Sequence, residues 1–316
     1  MRKLSIVIPA YNEEKGVGGV IQGIRQVMDR APVAYELLIV DDGSTDATAL
    51  NAEDAGAVVV RHSRNRGYGA SLKTGILHAS GDYVLIMDAD GSYPPEEIPK
   101  LLSEAPQAHM VVGRRQAPVS GHNMLNRLAK RFLKMLASYL VETPIPDLNS
   151  GMRIFRPEDA KRYFYLLPSN FSFTTTITLA MLSNGMEVRY IPIEYRRRVG
   201  KSKIRPLQDM YNFLTLIVRT VVYFNPLKVF LPISLFLCAS GFALLLWRMI
   251  AFGDIGEMEI LALLSGLQIG FMGFLADVLV RRMSWLSREP SSRSDTEYAR
   301  PAPIKESEEH PQERSF

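Results

Sequence analysis

Cysteine is almost absent from this 316-residue chain. Cys238 stands alone, which excludes an internal disulfide framework and a four-cysteine zinc site. The five histidines form neither HExxH nor a His/Cys cluster, so zinc chemistry has no ligand set. A GxxxxGK[ST] phosphate loop is missing, NRGYGASLKTG does not complete a GxGxxG fingerprint, and no GxSxG elbow occurs. Charge of one sign is lacking too. The balance of 37 basic to 33 acidic residues leaves +4, too mild to argue for a nucleic-acid partner.

What the chain has is a sharp division of hydropathy. Residues 1–205 read as a soluble domain, 226–281 are intensely apolar, and 282–316 are polar, proline-bearing and aperiodic, which predicts a disordered tail. Two blocks carry the apolar character: 229–247 holds no charge, and 260–280 holds one acid, Asp277. Each has the roughly 20 residues that a bilayer-spanning helix needs. At the N-terminus, LSIVI is too short for a signal peptide, is stopped by Pro9, and reads as a strand.

Further strands are expected at 36–40, 58–61 and 83–87, with helical patterns between them at 18–28, 47–55 and 70–79. Strands alternating with helices at this spacing predict an α/β domain with a mostly parallel sheet. Within 123–140, Arg127, Lys130, Arg131 and Lys134 fall on one helical arc, and Leu125, Leu128, Phe132, Met135, Leu136 and Tyr139 on the other. That pattern predicts an amphipathic helix lying in a membrane interface, and 206–225 predicts a second one leading into the first span.

The acidic residues sit where such a sheet would use them. Asp41 and Asp42 follow ELLIV, Asp88 and Asp90 follow YVLIM, and Asp147 follows a proline-rich turn. Ligands of an open parallel sheet bind beyond the carboxyl ends of its strands. Two carboxylates one residue apart can share a hard divalent cation with phosphate oxygens.

The ordered set VIPAYNEE (7–14), VDDGSTDAT (40–48), NRGYGASLKTGILHASGDYVLIMDADGSYPPEEIPKLL (65–102), DLNSGMRIF (147–155) and RRVGKSK (197–203) resembles the family 2 glycosyltransferases of GT-A fold. RxxGxSK and DLNSGMRIF point within that family to the polyprenyl- or dolichyl-phosphate sugar synthases, and the terminal pair of spans to bacterial polyprenyl-phosphate glycosyltransferases. Processive polysaccharide synthases are disfavoured, because no QxxRW occurs. The resemblance implies inverting transfer of a hexose from a GDP- or UDP-linked sugar to polyprenyl phosphate, for envelope glycan or glycolipid synthesis. By the same resemblance, Pro9, Tyr11, Glu13, Asp41, Asp42, Asp88, Ala89 and Asp90 would bind the nucleotide-sugar. Asp88 and Asp90 would hold Mg²⁺ or Mn²⁺. Arg115 (with Arg114 an equally basic neighbour), Arg197 and Lys203 would contact phosphate, and Asp147 would orient the acceptor or a basic side chain.

Two departures stand out: Ser92 replaces a glutamine common in relatives, and the helix in FSFTTTITLAML carries no acid where many relatives have glutamate. A lipid phosphate is already anionic, so the reaction needs no general base. A lipid-hydroxyl acceptor, which would make Asp147 indispensable as base, and a non-catalytic nucleotide-binding membrane scaffold are the alternatives. Lys228, Arg281, Arg282 and Arg288 flank the spans, whereas the link between them carries Asp254, Glu257 and Glu259. Positive residues stay inside, so both termini and the catalytic domain are expected on the cytoplasmic side of the inner membrane. Membrane lipids are expected partners, and a homo-oligomer is compatible with the sequence.

Overall fold

The computed structural model describes residues 3–116, 131, 134–139, 141–169, 172–196, 215, 218, 222, 223 and 225–286. Seven strands form one sheet: β1 (Leu4–Ala10), β2 (Tyr35–Asp41), β3 (Val58–Arg61), β4 (Tyr83–Ile86), β5 (Met110–Arg115), β6 (Arg153–Phe155) and β7 (Val188–Ile193). Their order is β3-β2-β1-β4-β6-β5-β7. Short β6 runs antiparallel to β4 and β5, and every other pairing is parallel.

The helices α1 (Val17–Met28), α2 (Thr48–Asp54), α3 (Tyr68–His78), α4 (Ile98–Glu104), α5 (Pro157–Lys161) and α6 (Phe173–Ser183) cover the sheet. Strand residues are apolar in continuous runs because both faces are covered. Leu4, Ile6, Ile8, Leu37, Ile39 and Leu85 meet α1 and α4 on one face. Val7, Leu38, Val40, Val84 and Ile86 meet α3 and α6 on the other. Helix α3 approaches so closely that a Cβ on Gly75 would lie 2.2 Å from Val7 Cγ1.

The strands and helices expected before residue 90 are present, with ends shifted by a residue or two. Strands β5, β6 and β7 were not anticipated. β6 is three residues long and gives no alternation to read. Of the expected amphipathic helix at 123–140, residues 134–139 are helical and most of the remainder lies outside the described residues. Most of the expected helix at 206–225 does too, as does 287–316 of the expected tail.

Two long helices follow, α7 (Leu227–Phe252) and α8 (Glu257–Leu286). Both are long and apolar enough to cross a membrane, and only 11% and 17% of their most apolar windows are buried. A core helix of a soluble protein would be mostly covered, so this exposure favours a lipid environment. α8 continues past the apolar block to Leu286, since the Arg281 and Arg282 backbone can extend the helix beyond the apolar zone. The pair packs through small residues: Ser234 Oγ donates to the Gly266 carbonyl at 2.7 Å, and a Cβ on Gly266 would meet Cys238 Sγ at 2.5 Å. At the far end Arg248 reaches Asp254 and Glu259, each at 3.5 Å.

At the amino-terminal edge of the sheet Glu36 ties three segments together. It accepts from Ser5 Oγ (2.5 Å), from the Ser80 backbone N–H (2.7 Å) and from Lys3 Nζ (3.2 Å). Burial alone would raise its pKa, but these hydrogen bonds outweigh it and bring the value from 4.5 to about 2. A depressed carboxylate stabilises the fold above its unfolded pKa and loses that contribution as pH falls. Glu36→Gln should therefore be less stable than the parent at neutral pH. The gap between them should close from pH 4.5 down to about 2, read by denaturant midpoints across that range.

Candidate active site

At one rim the topology gathers those of the expected residues that are described. β1, β2, β4, β5 and β7 all run the same way, so their carboxyl ends lie together. Because β6 is antiparallel, the segment preceding it, 147–152, arrives at that same edge.

On the β1–β2 side, Asp41 and Asp42 are 3% and 4% exposed. Asp41 accepts from the Ser44 backbone N–H at 3.1 Å. Asp42 accepts from the backbone N–H groups of Arg66 (2.9 Å) and Gly67 (2.8 Å) and pairs with His62 Nδ1 at 2.7 Å. The other His62 nitrogen meets Thr74 Oγ1 at 2.9 Å. Gly43 has φ +73° and lies so close to the Arg64 backbone that a Cβ would approach its carbonyl carbon at 2.6 Å, so only glycine suits this turn. Pro9 is buried within β1, and the Glu13 backbone N–H donates to Thr48 Oγ1 at 2.8 Å. Tyr11 is 46% exposed at the rim.

The acidic pair after β4 is held by its neighbours. Tyr68 OH donates to Asp88 Oδ1 at 2.9 Å. Asp90 Oδ1 accepts from both the backbone N–H (3.0 Å) and the hydroxyl (2.5 Å) of Ser92, which is wholly buried. Ser92 thus orients the second carboxylate. Ala89 packs its methyl into the core between the two acids. The Ser92 carbonyl accepts from the Arg196 backbone N–H at 2.9 Å. This brings the chain to the acidic turn one residue before Arg197; Arg197 and Lys203 themselves lie outside the described residues.

Arg115, at the end of β5, is clamped by Asp147. Its Nε and Nη2 donate to the two carboxylate oxygens at 2.8 Å each, and its backbone N–H adds a third bond at 3.2 Å. Burial opposes the charged form of Asp147, but the Arg115 hydrogen bonds and charge outweigh it and pull the pKa down. For Arg115 burial is likewise outweighed, by Asp147, and its pKa rises. Of the two roles open to Asp147 from sequence, orienting a basic side chain is the one visible here.

Sequence reasoning missed the residues that build this arrangement. Tyr93 OH accepts from the Gly151 backbone N–H at 2.6 Å, and its ring meets that of Tyr195 edge-on at 5.2 Å. Arg115 lies 5.4 Å from the Tyr195 ring centroid. Gly151 backs onto Asp88, with room for no side chain: a Cβ would fall 2.5 Å from its Oδ2. Tyr68 and Gly151 stood inside quoted motifs. Tyr93 stood inside a quoted motif as well, whereas no local signal marked out His62 and Tyr195.

The profile of the family described as Glycosyl transferase family 2 matches residues 5–164, half of the chain. The chain belongs to that family. A second profile, the GtrB C-terminal hairpin, matches 225–281, which covers α7 and most of α8. Among similar proteins is the undecaprenyl-phosphate 4-deoxy-4-formamido-L-arabinose transferase of Proteus mirabilis (strain HI4320), 27% identical over 304 residues, covering 89% of each chain. The enzyme of the same name from Serratia proteamaculans (strain 568) is 28% identical over 256 residues, covering 77% of this chain and 75% of its own. Solved structures share the fold. Glucosyl-3-phosphoglycerate synthase from Mycobacterium tuberculosis, in complex with Mn²⁺, UDP-glucose and phosphoglyceric acid, has a TM-score of 0.57 at 22% identity, over 70% of this chain and 80% of that one. Mannosyl-3-phosphoglycerate synthase from Rubrobacter xylanophilus has a TM-score of 0.55 at 22% identity, over 70% and 73%. The protein is a glycosyltransferase of GT-A fold.

In this glycosyltransferase no cluster of three or more His, Cys, Asp or Glu side chains occurs among the described residues. Asp88 and Asp90 supply two hard oxygen donors. That donor set fits a divalent cation which completes its shell with phosphate oxygens and water, and does not fit a cation enclosed by protein alone.

Arg115→Lys tests the clamp. An ammonium cannot make the paired bonds to Asp147 and loses contact with the Tyr195 ring. The expected outcome is a kcat/KM lower by about 10- to 100-fold, with a thermal midpoint close to the parent, from steady-state kinetics and thermal unfolding of the detergent-solubilised enzyme.

Proposed function

We propose that this glycosyltransferase moves a sugar, read as a hexose, from a GDP- or UDP-linked donor onto polyprenyl phosphate, inverting the anomeric centre. The observation that carries the reading is the Arg115–Asp147 clamp. Both oxygens of the carboxylate that would serve as base are committed to a guanidinium, and its pKa is depressed. Such a group suits an acceptor that is already anionic and does not suit a lipid hydroxyl, which must lose a proton. The exposed apolar helices α7 and α8, each long and apolar enough to cross a membrane, support an acceptor that resides in one. The names of the relatives, undecaprenyl-phosphate transferases, support the same acceptor class.

The chain's residues then divide the work electrostatically. Pro9, Tyr11, Glu13, Asp41 and Asp42 line the nucleoside side of the rim. Ala89 spaces Asp88 from Asp90 so that both face the diphosphate. A divalent cation held by Asp88 and Asp90, Mg²⁺ or Mn²⁺, would offset the charge gathering on the leaving nucleoside diphosphate. Arg115, fixed by Asp147, keeps a permanent positive charge beside the phosphates. Arg197 and Lys203 follow the strand that Ser92 tethers, and would supply a bidentate contact and a point charge to the same groups.

A donor panel of UDP- and GDP-linked hexoses and 4-amino-pentoses, offered with polyprenyl phosphate and read by product mass, tests the acceptor and names the sugar. Sugar-phospho-lipid product is expected, abolished by excess chelator and reduced by about 100-fold or more in Asp90→Ala. Transfer to a lipid hydroxyl but not to polyprenyl phosphate would overturn the reading, and so would nucleotide binding without any transfer.

The topology follows from charge. Lys228 lies in the first turn of α7, Arg281 and Arg282 lie in the last turns of α8, and the link between the helices is acidic, which argues for the link outside and the catalytic rim at the cytoplasmic leaflet of the inner membrane. A tag at Phe316 should resist external protease in intact cells and be cleaved in inverted vesicles; the reverse pattern would place the rim outside.

A further inference from the structure

Arg153 is the largest of the fully buried side chains, and the proposed chemistry does not use it. In β6 it pairs with Ile86 of β4 and Val112 of β5, and Val112 pairs in turn with Tyr190 of β7. Arg153 and Tyr190 therefore project from one face of the sheet, beneath α6. The guanidinium donates through Nη1 to the Thr174 carbonyl and the Thr178 hydroxyl, both at 2.8 Å, and through Nη2 to the Ser150 carbonyl. No carboxylate among the described residues pairs with it. Its Nε, together with the hydroxyls of Ser150 and Tyr190, has no hydrogen-bond partner.

For stability alone this is a poor choice. A buried guanidinium stays charged, and a well-packed apolar side chain of similar volume is commonly no less stable. What the charge achieves is a tie between the first turns of α6 and the Ser150 carbonyl. Ser150 lies between Asp147, which clamps Arg115, and Gly151, which backs Asp88. A second tie runs the same way, from Thr175 Oγ1 to Asn149 Oδ1 at 2.8 Å. The Arg153 charge is also felt at Tyr68, the donor to Asp88, and at Asp147.

We propose that Arg153 is a positioning residue, which holds segment 147–151 from below so that Asp147 keeps Arg115, and Gly151 keeps Asp88, in register for the leaving diphosphate. The proposal rests on the reading of the rim given above. It assigns the threonine-rich start of α6 to anchoring a cation, the Arg153 guanidinium.

The test is a double-mutant cycle in the full-length enzyme, solubilised in detergent. Arg153→Lys keeps the charge and loses the fork; Arg153→Met loses both. Each should lower kcat for transfer to polyprenyl phosphate by about 10- to 100-fold, with a smaller change in donor KM. Combined with Asp147→Asn, either should fall no more than about threefold below the worse single variant, because both act through one segment. If the Met variant does not fold, the Lys cycle decides. A Lys variant with parental turnover, losses that multiply, or a lowered thermal midpoint with unchanged kcat would each overturn the proposal. Should the parent transfer nothing to polyprenyl phosphate, the acceptor reading fails instead. The same cycle is then read on Mn²⁺-dependent affinity for UDP and for GDP, where a non-additive loss upholds the role of Arg153 and a multiplicative loss or none removes it.

Discussion

A carboxylate at the end of a buried strand must find hydrogen-bond donors, because its charge cannot be left unpaired so close to an apolar interior. Five of them stand on this rim, and the donors they recruit determine how the loops run. Asp42 draws in the backbone of Arg66 and Gly67, which starts α3 where Tyr68 can reach Asp88. Asp90 draws in Ser92, whose carbonyl then receives the strand extension at Arg196. Asp147 draws in Arg115 and folds the Asn149 backbone N–H back onto itself. Loops that would otherwise wander are fixed by the same charges that the proposed chemistry would use. The cost of burying acids and the geometry of the site are one problem with one solution.

The two carboxyl clusters after β2 and β4 were legible because each closes an apolar run, of four and five residues respectively, and apolar periodicity is the strongest local signal a sequence carries. The soluble helices before residue 90 were legible for the same reason. β6 was hidden, since three residues flanked by Met152 and Arg156 show no period, and it carries a fully buried arginine. A charged residue in a central strand reads as surface unless the acceptors that receive it, the Thr174 carbonyl and the Thr178 hydroxyl, are known to lie opposite. His62 shows the same limit. Its two partners come from 20 and 12 residues away, and only the folded chain brings them to one imidazole. Asp147 was found by motif, but its role became visible only with Arg115 in contact.

The threonines of α6 illustrate how composition can mislead. FTTTITLAMLS has no polar stripe, and Thr174, Thr175, Thr176 and Thr178 are all buried. Thr176 and Thr178 return their hydroxyls to carbonyls four residues back, which satisfies them inside the helix. Thr175 and the Thr174 carbonyl remain to serve segment 147–151. The helix thus offers polar groups both to Arg153 in the sheet and to Asn149 at the rim without a single charge.

The first turn of α7 is shared property. Val229 packs on the cluster formed by Ala137, Val141, Ile145, Leu148, Leu179 and Leu182, and Lys228 Nζ meets Glu142 at 2.7 Å. A hairpin joined through packed side chains behaves as a strut, whereas one joined by a flexible linker behaves as a leash. On the proposed membrane-bound reading, the rim would stand at a set height above the bilayer. A lipid acceptor would then have to lift its headgroup to that height, which would make the reach of its phosphate out of the membrane a selection criterion in its own right.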